Sequence, residues 1–378
     1  MCENVTVQQV LQRFQHTPPS EPRQRQVSAH LRACRTEALG GRVMHCNHCD
    51  DEQTWYYSCR DRHCPQCQGR ASRRWAERQQ GDILPVRYFH LVFTLPHALN
   101  GWVQVHPEVV YRRLFQAVWQ TLQAFGRDPK RLNGELGMTA VLHTWGQNLS
   151  QHVHLHCLVP GGALEASGQW HASKGNYLFP VKALSRHYRG RMVSLLREAA
   201  QAGELERLHP GEVERVLDGL FQDEWVVYSK HCLQHTDSVV RYLSRYTHRS
   251  AIHNSRLLAM DEEGVTFRYK DYRADGQSRT MTLSGAEFVR RLLLHVLPKG
   301  LMRIRHFGLL ANRHRQARLA QVREALAVAE TAQEETEEAT LPPAVLGYPC
   351  PKCKQGRLMV ITELLPCRPK DAWGRRRS

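Results

Sequence analysis

His152-Val153-His154-Leu155-His156-Cys157-Leu158-Val159 is the stretch from which the fold can be read. Side chains of a β-strand alternate between its two faces, so a period of two puts three imidazoles on one side and Val153, Leu155 and Cys157 on the other. One face suits a core and the other suits chemistry. Upstream, Met138 to Trp145 reads as a partner strand reached through Gly146-Gln147-Asn148, and Pro160-Gly161-Gly162 closes the hairpin. Tyr88 to Leu95 has the aromatic and β-branched content of a further buried strand, stopped by Pro96.

Outward from this hairpin, a helix is expected after Pro107, a basic helix over Lys182 to Leu208 and another from Asp237 to about His248. Trp225 to Tyr228, Val265 to Tyr269 and Thr280 to Leu283 read as shorter strands, with a helix from Ser284 to Val296. Strands and helices mix without a regular strand-helix repeat. That favours an antiparallel α+β domain over a doubly wound parallel one. Glu330 to Glu338 is acidic and of low complexity, which suits a solvated linker.

The chain has 378 residues and is 42% hydrophobic, enough to bury a real core. Lysine and arginine number 52 against 36 acidic residues, a net charge of +16, and the pI is about 9.5. A polyanion is the expected partner, and nucleic acid comes first. An anionic membrane surface is the competing partner, but no stretch approaches the apolar length of a membrane span and no basic amphipathic helix stands alone, so no membrane partner is expected. The N-terminal residues do not resemble a signal peptide, and a cytoplasmic, DNA-associated location is expected. In that reducing compartment the 12 cysteines should ligate metal rather than pair as disulfides.

Cys46-x-x-Cys49 and Cys64-x-x-Cys67, separated by fourteen residues, read as two knuckles closing one structural zinc site. Thiolates neutralise the ion, and such a segment can fold on binding it. Cys34 and Cys59 are each four residues from a histidine, so His30, Cys34, Cys59 and His63 offer a second ligand set. Arg60, Arg62, Arg70, Arg73 and Arg74 surround the knuckles as expected of a module that grips a phosphate backbone. Near the end, Cys350-x-x-Cys353 is half a zinc ribbon with Cys367 as a third thiol and no evident fourth.

Arg241-Tyr242-Leu243-Ser244-Arg245-Tyr246 spaces two tyrosines at i and i+4, so both phenols project from one face of the expected helix. Alone, neither a histidine face nor a tyrosine pair differs from ordinary packing. Their co-occurrence with cysteine knuckles on a basic chain does.

From about Cys34 to Asn312 the sequence resembles the two-tyrosine HUH (His, hydrophobic, His) endonucleases, specifically the rolling-circle transposases of bacterial insertion sequences with an N-terminal transposase zinc-binding domain. The resemblance is carried by Cys34-Arg35-Thr36, Ser58-Cys59-Arg60, Arg62-His63-Cys64-Pro65-x-Cys67, Tyr88-Phe89-His90, Phe93-Thr94-Leu95-Pro96, His143-Thr144-Trp145-Gly146-Gln147, His154-Leu155-His156 and Tyr242-Leu243-x-Arg245-Tyr246-Thr247-His248-Arg249. It implies that His154 and His156 bind a catalytic Mg2+ or Mn2+, with Gln147 as the favoured third ligand and His143 as the alternative. It implies that Tyr242 and Tyr246 are nucleophiles forming 5′-phosphotyrosine on single-stranded DNA, with Arg245 and Arg249 as phosphate contacts.

These readings divide the chain into a zinc-binding DNA-recognition module over 1–80, an HUH nuclease domain over 81–312, and a linker with a basic, cysteine-containing tail over 313–378. Transposon-end and single-stranded DNA are the expected partners. No Walker-type phosphate loop is present, so unwinding would fall to host replication or helicase factors. Two rivals remain: a rolling-circle replication initiator with the same site, and a non-catalytic zinc-dependent DNA-binding regulator.

Overall fold

The computed structural model describes residues 5–15, 21–232, 239, 247, 249–326 and 347–367. The chain opens with helices α1 (Val7–Arg13) and α2 (Pro22–Ala33), strands β1 (Gly41–Cys46) and β2 (Glu52–Tyr56), and helix α3 (Pro65–Gln79). Thr6 caps α1 through a reciprocal bond with Gln9, which satisfies two of the amide donors that a helix start leaves unpaired.

A central antiparallel sheet follows, with β3 (Tyr88–Thr94), β4 (Gly137–Trp145) and β5 (Gln151–Pro160) at its heart. The hairpin expected around Gln147 is present, and the expected Tyr88 strand pairs with its other side, Val92 opposite His156 and Thr94 opposite His154. The strands Val227–Cys232 and Ile304–Gly308 form the two edges. The first of these was expected two residues earlier, over Trp225 to Tyr228. The fold class is therefore the expected one, antiparallel α+β.

Alternation decides which face does what. Phe89, Leu91 and Phe93 of β3, Met138, Ala140 and Leu142 of β4, and Val153, Leu155 and Cys157 of β5 enter one core. That core is covered by helices Pro107–Arg127, Val181–Gln201 and Pro210–Gly219. Pro107 occupies the first turn of its helix, where a missing N–H costs nothing, and Val110, Leu114 and Val118 recur on its buried side. The helix read over Lys182 to Leu208 ends at Gln201. The opposite face of the sheet carries His90, His143, His154 and His156.

A second core joins the first module to the tip of the β4–β5 hairpin. Val10, Val27, Leu31, Cys34 and Cys64 pack with Trp145 and Leu149, and with Phe267 and Phe288 from a three-stranded sheet and the helix Gly285–Leu293 that Ser284 caps. The cysteine-rich segment is thus continuous with the domain built on the central sheet rather than a separate bead. Residues 348–364 also depart from the expected tail: a two-residue strand, Tyr348–Pro349, and the strand Arg357–Leu364 complete the N-terminal sheet, the latter beside β1. No helix among the described residues is long and apolar enough to cross a membrane.

Candidate metal centre and cysteine clusters

The histidine site follows from strand geometry. His154 and His156 lie two residues apart on β5 and so share a face, with their Nε2 atoms 3.1 Å apart. His154 Nδ1 lies 2.9 Å from the His152 carbonyl and donates to it, leaving the Nε2 lone pair directed at its neighbour. His156 Nδ1 is 2.9 Å from Nε2 of His90 on β3. When His156 donates in that bond, its Nε2 is also an acceptor. Two lone pairs facing each other at this distance favour a shared cation.

The protonation states agree with ligation. Burial, reinforced by His152, pushes the His154 imidazole down to about 3, and burial together with His143 and His154 holds His156 well below the ordinary value. Burial pushes His90 down to about 4. All three are neutral at pH 7, the form that binds metal.

The structure groups a third histidine with the pair. His143 lies directly opposite His154 in the β4–β5 register, its ring centroid 4.5 Å from that of His156, and a nitrogen from each of His143, His154 and His156 falls within 4.8 Å of the others. Gln147 sits beyond the last pair, Trp145 with Gln151, in the turn that Gly146 and Ser150 close. At about 3.3 Å per residue, three residues separate that end of β5 from His154 by roughly 10 Å. Of the two candidates, His143 is the one placed beside His154 and His156, and it stacks on Trp145 at 4.6 Å. Its position two residues before Trp145 on a strand paired with the histidine strand was the available signal.

Arg249 is exposed, and its charge helps depress both His154 and His156, so it stands within electrostatic reach of the centre. Its carbonyl accepts from buried Arg303, which also donates to the Thr247 carbonyl; sequence reading missed this clamp. Tyr242, Arg245 and Tyr246 lie outside the described residues, as does most of the helix expected there. Val239 and Thr247, on either side of them, are helical and buried. Val239 packs with Tyr88 and Leu158 on the histidine side of the sheet.

The cysteines group differently from the sequence expectation. Cys34, Cys59, Cys64 and Cys67 form one cluster, with Sγ separations of 3.6, 3.7 and 3.8 Å. Four sulfurs each about 2.3 Å from one zinc stand about 3.8 Å apart, so this set fits a tetrahedral thiolate site. Cys46 and Cys49 lie elsewhere, so the two neighbouring knuckles do not close on each other. The set His30, Cys34, Cys59 and His63 does not assemble either. Asp61 intervenes, accepting from His30 Nδ1 at 2.9 Å and from His63 Nδ1 at 2.8 Å, while His63 Nε2 accepts from the Leu297 amide. Burial alone would raise the Asp61 carboxyl, but its bonds to the two histidines hold it well below the usual range.

The arginines divide as well. Arg60, Arg70, Arg73 and Arg74 are exposed, and the last three share one side of α3 away from buried Trp75. Arg62 instead donates to the carbonyls of Leu297, Pro298 and Leu301, a structural role that contradicts its expected phosphate contact. Alanine at Arg70, Arg73 or Arg74 should reduce the slope of log affinity against log salt by about 1 each. Arg62→Ala should instead lower unfolding stability by about 2–4 kcal/mol, because three carbonyls lose their donor. Thermal melts and salt titrations of DNA binding, run side by side, separate the two outcomes; a salt slope altered by Arg62→Ala at unchanged stability would reverse the assignment.

The site therefore combines a His-hydrophobic-His strand at the centre of an antiparallel sheet with a thiolate-rich basic module. The family described as "Putative transposase" matches residues 137–318, and the family described as "Transposase zinc-binding domain" matches residues 6–95. The chain is 42% identical to "Putative transposase y4qJ" of Sinorhizobium fredii, covering 92% of this chain and 91% of that one. It is 31% identical to "Transposase for insertion sequence element IS801" of Pseudomonas savastanoi pv. phaseolicola, covering 79% and 72%. No solved structure gives a significant match. The chain therefore belongs to this family of insertion-sequence transposases with an N-terminal zinc-binding domain.

Proposed function

We propose that this transposase cuts and rejoins single-stranded DNA at the His143, His154 and His156 centre, with Tyr242 and Tyr246 as nucleophiles. The grouping of three imidazoles, His143, His154 and His156, at one place carries the reading. His143, His154 and His156, the last two with their Nε2 atoms 3.1 Å apart, would hold a divalent ion, Mg2+ or Mn2+ by resemblance to the family. Such an ion would polarise the scissile phosphate and offset charge that develops on it.

The protein's own groups do the rest. His90 and the His152 carbonyl fix the ring orientations of His156 and His154. Arg249 and, by resemblance, Arg245 hold the phosphate backbone. A tyrosine phenolate attacks phosphorus, the phosphotyrosine bond forms as the 3′-oxygen leaves, and that oxygen becomes a free 3′-hydroxyl. The covalent link conserves the bond energy, so rejoining needs no nucleotide cofactor. A second tyrosine permits a second cleavage while the first still holds DNA, which suits rolling-circle movement between transposon ends. Cys34, Cys59, Cys64 and Cys67 would hold a structural zinc that keeps the basic module folded against the hairpin tip.

Incubating the protein and Mn2+ with single-stranded oligonucleotides from the flanks of its own gene should yield a covalent protein–DNA adduct that chelation before mixing prevents. Duplex binding with no adduct on any strand would instead support the regulator reading. Adducts confined to a plasmid origin, with none on transposon-end strands, would support the replication initiator.

A further inference from the structure

The remaining cysteines come from opposite ends of the chain. Cys46 Sγ lies 3.7 Å from Cys353 Sγ, and Cys49 Sγ lies 3.8 Å from Cys350 Sγ, a pair 301 residues apart in sequence. All four ligand atoms fall within 4.8 Å of one another. The separations again match the edge of a zinc tetrathiolate, about 3.8 Å, and are far beyond the roughly 2.05 Å of a disulfide.

The backbone is built for the same purpose. The residue after each second cysteine, Asp50 and Lys354, takes the left-handed conformation that bends a Cys-x-x-Cys turn around an ion. Asn47 and Arg357 exchange bonds between the two turns, the Arg357 amide donating to Asn47 Oδ1 at 2.8 Å and the Asn47 amide to the Arg357 carbonyl at 3.1 Å. The Gly356 amide lies 3.2 Å from Cys353 Sγ, where it would offset thiolate charge, and a side-chain carbon at Gly356 would stand 2.6 Å from Cys46 Sγ. The apolar cluster beneath consists of Met44 and Leu358 with the cysteines themselves. So small a core leaves the corner needing a staple.

We propose that Cys46, Cys49, Cys350 and Cys353 bind a second zinc ion, which fastens the C-terminal hairpin to the N-terminal module. The zinc-binding match over residues 6–95 holds only half of this ligand set.

Zinc content of the full-length protein, measured by elemental analysis on samples shown folded by circular dichroism, tests the grouping without reference to cleavage. Wild type should hold two ions per chain. Cys46→Ser with Cys350→Ser strikes one site twice and should leave one ion, whereas Cys46→Ser with Cys64→Ser strikes both sites and should leave none. If the neighbouring knuckles shared one ion instead, the second pair would lose only that ion and Cys350→Ser would lose nothing; either result overturns the proposal, as does wild type holding a single zinc. Should serine variants not fold, Cys353→His supplies an imidazole ligand. With cobalt as the probe, it should keep two ions while weakening the thiolate-to-metal absorption, and an unchanged spectrum would equally overturn the site.

Discussion

His143→Ala, His154→Ala and His156→Ala are each expected to reduce single-strand cleavage by at least about 10³-fold, equivalent to about 4 kcal/mol of barrier. DNA affinity should change little if the exposed arginines of α3 supply it, as expected of that basic face. The informative comparison is Gln147→Ala. This residue lies in the turn past the Trp145–Gln151 pair, and its backbone carbonyl accepts from Arg256, so its side chain should be dispensable to within about tenfold. His90→Ala should fall between, costing about 10–100-fold through loss of the ring that orients His156. Quantifying cleaved oligonucleotide at saturating Mn2+ decides the matter: a dead Gln147→Ala beside an active His143→Ala would restore the resemblance-based ligand and refute the register argument.

The tyrosine pair carries the second large effect. Phenylalanine keeps ring packing and removes only the nucleophilic oxygen, so Tyr242→Phe with Tyr246→Phe should remain folded, bind DNA with near-normal affinity and form no covalent adduct. Each single variant should retain partial cleavage but fail at complete strand transfer, since one tyrosine cannot hold a first strand while cutting a second. Peptide mass spectrometry of the wild-type adduct should place the phosphate on one of these residues. An adduct surviving in the double variant, mapped to another side chain such as exposed Tyr228, would end the two-tyrosine mechanism.

What could be read from sequence depended on whether the signal was local. Strand period exposed the histidine face and the core face of β5, and the Gly146-Gln147-Asn148 turn fixed the hairpin, because neighbours on the chain determine both. The choice between Gln147 and His143 needed the cross-strand register, which a bulge between His143 and Trp145 helps to set. The zinc grouping failed for the opposite reason. Two Cys-x-x-Cys pairs fourteen residues apart invited a local solution, whereas a strand from the far end of the chain claims Cys46 and Cys49. Half a ribbon at Cys350 and the thiols of Cys34 and Cys59, which spacing alone groups with His30 and His63, were the clue that eight cysteines make two sets of four. Arg62 and Asp61 could not be placed from composition, since a charged residue that satisfies buried partners looks the same in sequence as one facing solvent.

The pairing of β1 with Arg357–Leu364 also bears on how the protein comes into being. A ribosome releases the N-terminal module early, yet the strand that lies against β1 is translated far later. Until then β1 has a vacant edge, and closing it requires a contact spanning most of the chain, the slowest kind to form. Prematurely terminated products therefore lack a finished first module even though every residue of that module has been made.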